Sequence, residues 1–211
     1  MQEKNTIALI ESHYLPCVQY LAQFLKYETI IIEQYEHYQK RSYRNRCHIM
    51  GANGLLRLSI PLQSGKNQQM NIREVRISYQ ENWQQLHWKS IASAYRNAPF
   101  FEYYADYLAP FFEQKEEFLF DWNHKLLLQL LDLLQLENNV QLSEQYEPTP
   151  TFPIVDRRDS IRAKKSRHKE ALSFETIPYV QVFQERHGFV PNLSILDLLF
   201  CTGPQAILYL E

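Results

Sequence analysis

Residues 40 to 54 read KRSYRNRCHIMGANG, and the side chains in this stretch suit one kind of chemistry. Lys40, Arg41, Arg44 and Arg46 are interleaved with Tyr43 and Asn45. Guanidinium forks pair bidentately with phosphate or carboxylate, and Tyr alternating with Arg offers rings for stacking beside charges for phosphate. No Asp or Glu occurs from His37 to Arg73, while Arg57, Lys66 and Arg73 extend the positive character. Three readings stand for this stretch: a solvated face whose charges pair with acids elsewhere, a site for an anionic small molecule, or a grip on nucleic acid. The formal net charge of −2 disfavours the last, since any such affinity would have to come from a local patch.

Two histidines are candidates for moving protons. His13 stands in ESHYLPC, just after a short apolar run, where the end of a strand meets the start of a helix. Free backbone N–H groups at such a junction favour an anion, although ESHYLPCVQ has no glycine and is neither a P-loop nor a dinucleotide fingerprint. His87 opens HWKSIASAYRNAPFFEYY, which also carries Tyr95, Arg96, Asn97 and a cluster of aromatic residues. A histidine's near-neutral pKa suits general acid–base work. The competing reading makes both histidines structural and the aromatics core, as helical spacing of aromatics usually implies. Tyr95 is the candidate for stacking, with Arg96 and Asn97 for binding. The tripeptide YRN at 43–45 and again at 95–97 follows a strand in one place and ends a helix in the other, so it is not read as a structural repeat.

Other chemistries leave no pattern. Cys17, Cys47 and Cys201 are widely spaced and lack a CxxC, which argues against a disulfide framework or zinc ribbon and for a reducing compartment. Cys17 sits near a helix start that can activate a thiol, but it also belongs to an apolar stripe and reads as a buried structural residue. No HExxH, GxSxG, HRD or Walker pattern occurs, so neither metal nor cofactor is expected. The apolar run near the start is too short for a signal peptide, and none approaches a membrane span. The expectation is a cytoplasmic protein that does not insert into a membrane.

These side chains must be carried by elements. TIALIES reads as a buried strand, VQYLAQFLKY after Pro16 as a helix with Cys17, Tyr20, Leu21, Phe24 and Leu25 on one stripe, and ETIIIEQYEHY as a second strand. That is a parallel βαβ unit. SYRNRCHIMGANG reads as a loop leading to LLRLSIPL and, after SGKNQQ, to IREVRISY, two further strands that suit a hairpin. From Asn82 the pattern turns helical, through NWQQLHWKSIASAYRNAP, FFEYYADYLAPFF and DWNHKLLLQLLDLLQL. Residues 146 to 170 hold three prolines and a basic run and read as a flexible or ligand-ordered segment. YVQVFQERHG is then a helix capped by Gly188, and Ser194 caps the last helix, with Asp197 three residues on. The fold expectation is α/β, with a Rossmann-like βαβ N-terminal half, added strands and a largely helical C-terminal half. Length fits one domain over 1–211.

The segments YLPCVQYLAQFLKY, YQKRSYRNRCHIMGANGLLRLSIPL, HWKSIASAYRNAPFFEYYADYLAPFF, DRRDSIRAKK and YVQVFQERHGFVPNLSILDLLFCTGPQA together resemble the WbqC-like protein family, in order and over nearly the whole chain. Asn45, Arg46, Gly54, Pro61, His87, Tyr95 and Pro99 fall within the matching segments, as do Asp156, Arg157, Ile161 and Lys165. The family occurs among bacterial O-antigen and surface-polysaccharide genes and has no agreed catalytic set. The resemblance implies a role in aminoacyl or acyl transfer to a nucleotide-linked amino sugar. The expected ligand is therefore a small anionic metabolite such as a nucleotide-sugar, bound by Lys40, Arg41, Tyr43, Arg44, Asn45, Arg46, Tyr95, Arg96 and Asn97, with His13 and His87 as catalytic candidates. A non-catalytic binding or assembly protein of a glycan-synthesis complex is the alternative, and the oligomeric state is left open.

Overall fold

The first strand, IALIE, has its side chains buried along nearly its whole length, which a strand achieves only with a neighbour on each edge and cover on both faces. In the computed structural model, which describes residues 7–63, 70–136, 139–162 and 174–211, β1 (Ile7–Glu11) is such a strand. It lies between β2 (Thr29–Glu33) and β6 (Ile154–Asp156), with β5 (Asn139–Leu142) beyond β2, and all pairings in this four-stranded sheet are parallel. A second, antiparallel pair joins β3 (Arg46–Gly51) to β4 (Gly54–Ser59). The α/β expectation therefore holds, including the parallel strand–helix–strand start and the helical second half.

The first crossover is not one amphipathic helix. Two short helices, α1 (Val18–Leu21) and α2 (Gln23–Lys26), are separated at Ala22. Residues 18 to 24 are buried on every side because the C-terminal helix covers what would have been the solvent face. A second difference concerns the hairpin. Its first strand is RCHIMG, within the expected loop, and GLLRLS pairs back onto it through the two-residue tip Ala52–Asn53, with Gly54 at φ +113°. IREVRISY forms a 3-10 turn at Ile72–Glu74 and two isolated bridges instead of a strand.

The helical half follows the periodicity more closely. α3 (Trp83–Tyr95), α4 (Phe101–Leu108) and α5 (Leu119–Leu133) appear where apolar spacing places them. The helix expected over 179–188 shrinks to α6 (Gln184–His187), since Tyr179 and Gln181 turn inward to hydrogen-bond Asp197. Ser194 caps α7 (Ile195–Thr202) by accepting from the Leu196 N–H. Asp197, the expected second half of a capping box, is instead the buried acceptor for Tyr95, Tyr179 and Gln181. Buried side chains from Ala8 to Leu210 form one contiguous cluster, and each fully buried Leu, Ile or Phe contributes roughly 1.5–3 kcal/mol. Within the stretch 146–170 the described part holds β6. Residues 163–170, with Lys165, lie outside the described residues, as does Lys66.

Candidate functional site

The two apolar strands IALIE and TIIIE each end on a glutamate, Glu11 and Glu33, and β6 ends on Asp156. Because these strands are parallel and adjacent, the three acids are brought to one edge of the sheet. The chain runs from β1 to β2 and β5 on one side, and returns as β6 on the other, so the carboxyl ends of β1 and β6 form a topological switch point, where open α/β sheets bind ligands.

Two arginines hold the acids together. Arg44 is fully buried, with Nε donating to Glu36 (2.7 Å), a second nitrogen to the other Glu36 oxygen and further contacts to Asp159 at 3.2 Å. Arg158 donates to both oxygens of Asp156 (2.9 and 2.7 Å), to Glu33 (3.1 Å) and to the Glu147 carbonyl (2.8 Å). Burial alone would lower the Arg44 pKa, but the Glu36 carboxylate outweighs it and keeps the guanidinium charged. Burial, together with Glu11 and Asp159, pushes the Glu36 carboxyl up to about 7 against the pull of Arg44. Arg41 and Asp159 both take positive φ, 61° and 57°, conformations that cost a non-glycine residue about 1–3 kcal/mol and cluster at ligand sites. Beside this network lies a cleft of about 390 Å³, lined among others by His37, Tyr38, Lys40, Tyr146, Arg158 and Asp159.

His13 belongs to the same edge. Its Nε2 lies 2.9 Å from Glu11 Oε1, its ring stacks on Tyr20 at 4.4 Å, and Tyr43 is 5.3 Å away. The other Glu11 oxygen accepts from the Asp159 N–H (3.0 Å). Burial would raise the Glu11 pKa, but His13 and Arg44 overcome it and hold the carboxyl down at about 2. The carboxylate is therefore the acceptor and His13 Nε2 the donor. Nδ1 is buried without a partner, a condition that in native proteins calls for an explanation.

The sequence-derived site residues thus fall into two groups. Lys40, Arg41, Tyr43, Arg44, Asn45 and Arg46 gather around the loop beside the sheet edge, with His13 packed against Tyr43. Within this group Arg44 is committed to Glu36 and Asp159, and Asn45 ties Tyr38 to the Ile60 carbonyl. Among the described residues Arg46 makes no ion pair, and its Nε is buried without a partner. The other group lies apart. His87 is buried, with Tyr14 O–H at 2.7 Å from its Nδ1 and a backbone hydrogen bond to Ser59, and burial pushes its pKa down to about 4. Tyr95 is wholly buried and donates to Asp197 (2.9 Å), so it has no face for a ligand ring. Arg96 and Asn97 are exposed, and Asn97 lines a different cleft of about 830 Å³ with Pro99, Val180, Phe183 and Cys201. The two YRN tripeptides do not share a cleft.

Sequence reasoning missed Glu11, Glu33, Glu36, Arg158 and Asp159. The readable signal was an acid closing each apolar strand run. Burial pushes the Cys17 thiol up to about 12, which fits an inert core residue. Among the described residues no group of three or more His, Cys, Asp or Glu side chains is arranged to hold a metal, and no helix is long and apolar enough to cross a membrane.

Comparison with known proteins gives two matches. The model of the WbqC-like protein family matches residues 11–157 and 160–209. The uncharacterized protein Rv1507c of Mycobacterium tuberculosis is 28% identical over 231 residues, covering 97% of each chain. No solved structure matches.

Proposed function

The chain belongs to the WbqC-like protein family, and from that premise we propose that it is a cytoplasmic transferase, one domain over 1–211, that modifies a nucleotide-linked amino sugar or a related anionic metabolite. The observation that carries this reading is the polar cleft at the carboxyl ends of β2 and β6, beside cations that have no acidic partner among the described residues. Lys40, Arg41 and Arg46 meet the anionic group, and the Tyr43 hydroxyl borders them. In the transfer, the sugar amine attacks the carbonyl carbon of an activated acyl or aminoacyl ester. The carbon–leaving-group bond breaks, and the amine proton passes to a base, for which His13 at the sheet edge is the candidate, and on to the departing oxygen or sulfur. Glu11 holds the His13 ring through Nε2.

Calorimetry with a panel of nucleotide-sugars and acyl donors tests this. Binding that Arg46→Ala weakens, with turnover lost in His13→Gln, is the expected result. A panel that gives no heat at millimolar concentration sinks the reading.

A second reading is a non-catalytic assembly protein of a glycan-synthesis complex. It is favoured by Leu55, Leu56 and Leu86, exposed around one shallow cleft between the hairpin tip and α3. Loss of a co-purifying partner in Leu86→Asp, with no small-molecule binding in the wild type, would select it.

A further inference from the structure

The β3–β4 hairpin has two unlike faces. Cys47, Ile49 and Leu58 point into the core and are buried. Arg46 and His48, two residues apart on β3, share the opposite face, and Arg57 stands directly across from His48 in the ladder. Arg57 and Arg41 are close enough to Arg46 to act on it electrostatically. Among the described residues no acid forms an ion pair with Arg41, Arg46 or Arg57, because the acids near the sheet edge are taken by Arg44 and Arg158. Like charges set across a ladder are destabilising, and a buried donor without an acceptor adds to the cost. Arg46 stands across from Ser59 and diagonal to Arg57, whose charge acts on it together with that of Arg41, and its buried Nε has no acceptor among the described residues.

The face is also held in place. The Ser194 N–H donates to the His48 carbonyl (2.8 Å), the Ile60 N–H to the Asn45 carbonyl (2.8 Å), and Asn45 Nδ2 back to the Ile60 carbonyl (2.9 Å). Tyr43 O–H lies 3.5 Å from His48 Nδ1, so an aromatic hydroxyl borders the cations. Guanidinium donors carried on a fixed backbone with excess positive charge call for an anion that bears more than one charge and several acceptor oxygens.

We propose that Arg46, His48 and Arg57 form a subsite for the phosphate or diphosphate group of a small ligand. The proposal rests on the reading of the neighbouring cleft as an anionic-metabolite site and adds to it Arg57, His48 and the chemical class of the group bound. With a formal net charge of −2 on the whole chain, a local cluster of cations suits a small ligand better than a nucleic acid.

His48 supplies a readout that a merely structural role would not move. Its pKa is lowered by burial and by Arg46 and Arg57, and the titratable or charged groups facing it are Tyr43, Arg46 and Arg57. The test is a titration of the full chain with inorganic pyrophosphate at low salt, followed by calorimetry and by the NMR titration of the His48 ring, in wild type, Arg57→Ala, Arg46→Lys and Arg186→Ala. Saturable binding that raises the His48 pKa is expected. It should weaken about tenfold in Arg57→Ala, weaken less in Arg46→Lys and stay unchanged in Arg186→Ala. In ligand-free Arg57→Ala the His48 pKa should already be raised.

The proposal is overturned by any of three results: no pyrophosphate binding, a His48 pKa indifferent to it, or equal losses in Arg57→Ala and Arg186→Ala. Retention on single-stranded RNA that is lost in Arg57→Ala overturns the small-ligand class. If nucleotide-sugars bind the wild type while pyrophosphate leaves His48 unmoved, the subsite falls and the cleft reading stands. Pyrophosphate binding here with no nucleotide-sugar binding leaves the subsite standing and removes the transferase reading.

Discussion

Arg44 and Arg46 stand two residues apart in the sequence, and the fold gives them opposite surroundings. Arg44 is fully buried and spends its donors on Glu36 and Asp159. Arg46 is half-buried, has a donor with no acceptor and is pressed by Arg57 and Arg41. The first is a structural cation that gathers acids from separate elements. The second has no counter-charge among the described residues, which is what the proposed binding role of Arg46 rests on. Positive charge in a sequence therefore says little until the positions of the acids are known.

The largest effect that could break this comparison comes from Arg44→Ala. Removing it leaves Glu36 and Asp159 without their guanidinium, and stability should fall by about 3–5 kcal/mol in urea unfolding. A loss below about 1 kcal/mol would show that the pair is not structural.

A smaller effect follows from pH. The folded-state pKa of Glu36, about 7, lies above its ordinary 4.5, so the folded protein holds an extra proton between these values. Its contribution is fully present below pH 4.5 and is lost as pH rises to about 7, by on the order of 3 kcal/mol. Glu36→Gln should flatten that decline in unfolding measured across the window.

Glu11 has the opposite sign. Its folded value of about 2 lies below 4.5, so its contribution is present above pH 4.5 and lost as pH falls towards 2. Glu11→Gln should cost about 1–3 kcal/mol at neutral pH by weakening the bonds from His13 and the Asp159 N–H, and should remove the acid-limb loss. Nitrogen shifts of the His13 ring should report a hydrogen-bonded Nε2–H in the wild type and a weakened bond at Nε2 in this variant.

The smallest effect sharpens the contrast. Arg57→Ala should change stability by no more than about 0.5 kcal/mol, towards greater stability at low salt, because it relieves repulsion. A clear destabilisation would move Arg57 into the structural class with Arg44.

The difference between legible and illegible features has a physical origin. IALIE and TIIIE declared their strands because a strand covered on both faces must be apolar throughout. α5 declared itself through the spacing of Leu126, Leu127, Leu130 and Leu131, all buried. RCHIMG did not, since its alternation of half-buried Arg46 and His48 with buried Cys47 and Ile49 is masked by a basic, loop-like context. Within the site, His13 and the 40–46 loop were readable from residue type. Arg158 and Asp159 were not, because their meaning depends on β6 returning beside β1 from about 140 residues away in sequence.

By itself the sequence determined the parallel start, the helices of the second half and a cationic loop, because local periodicity and composition act over a few neighbouring residues. Only the tertiary structure decided which of those cations are spoken for. Ion pairing is settled by distances of a few ångströms between strand ends, and these were set by the parallel pairing of β6, β1 and β2.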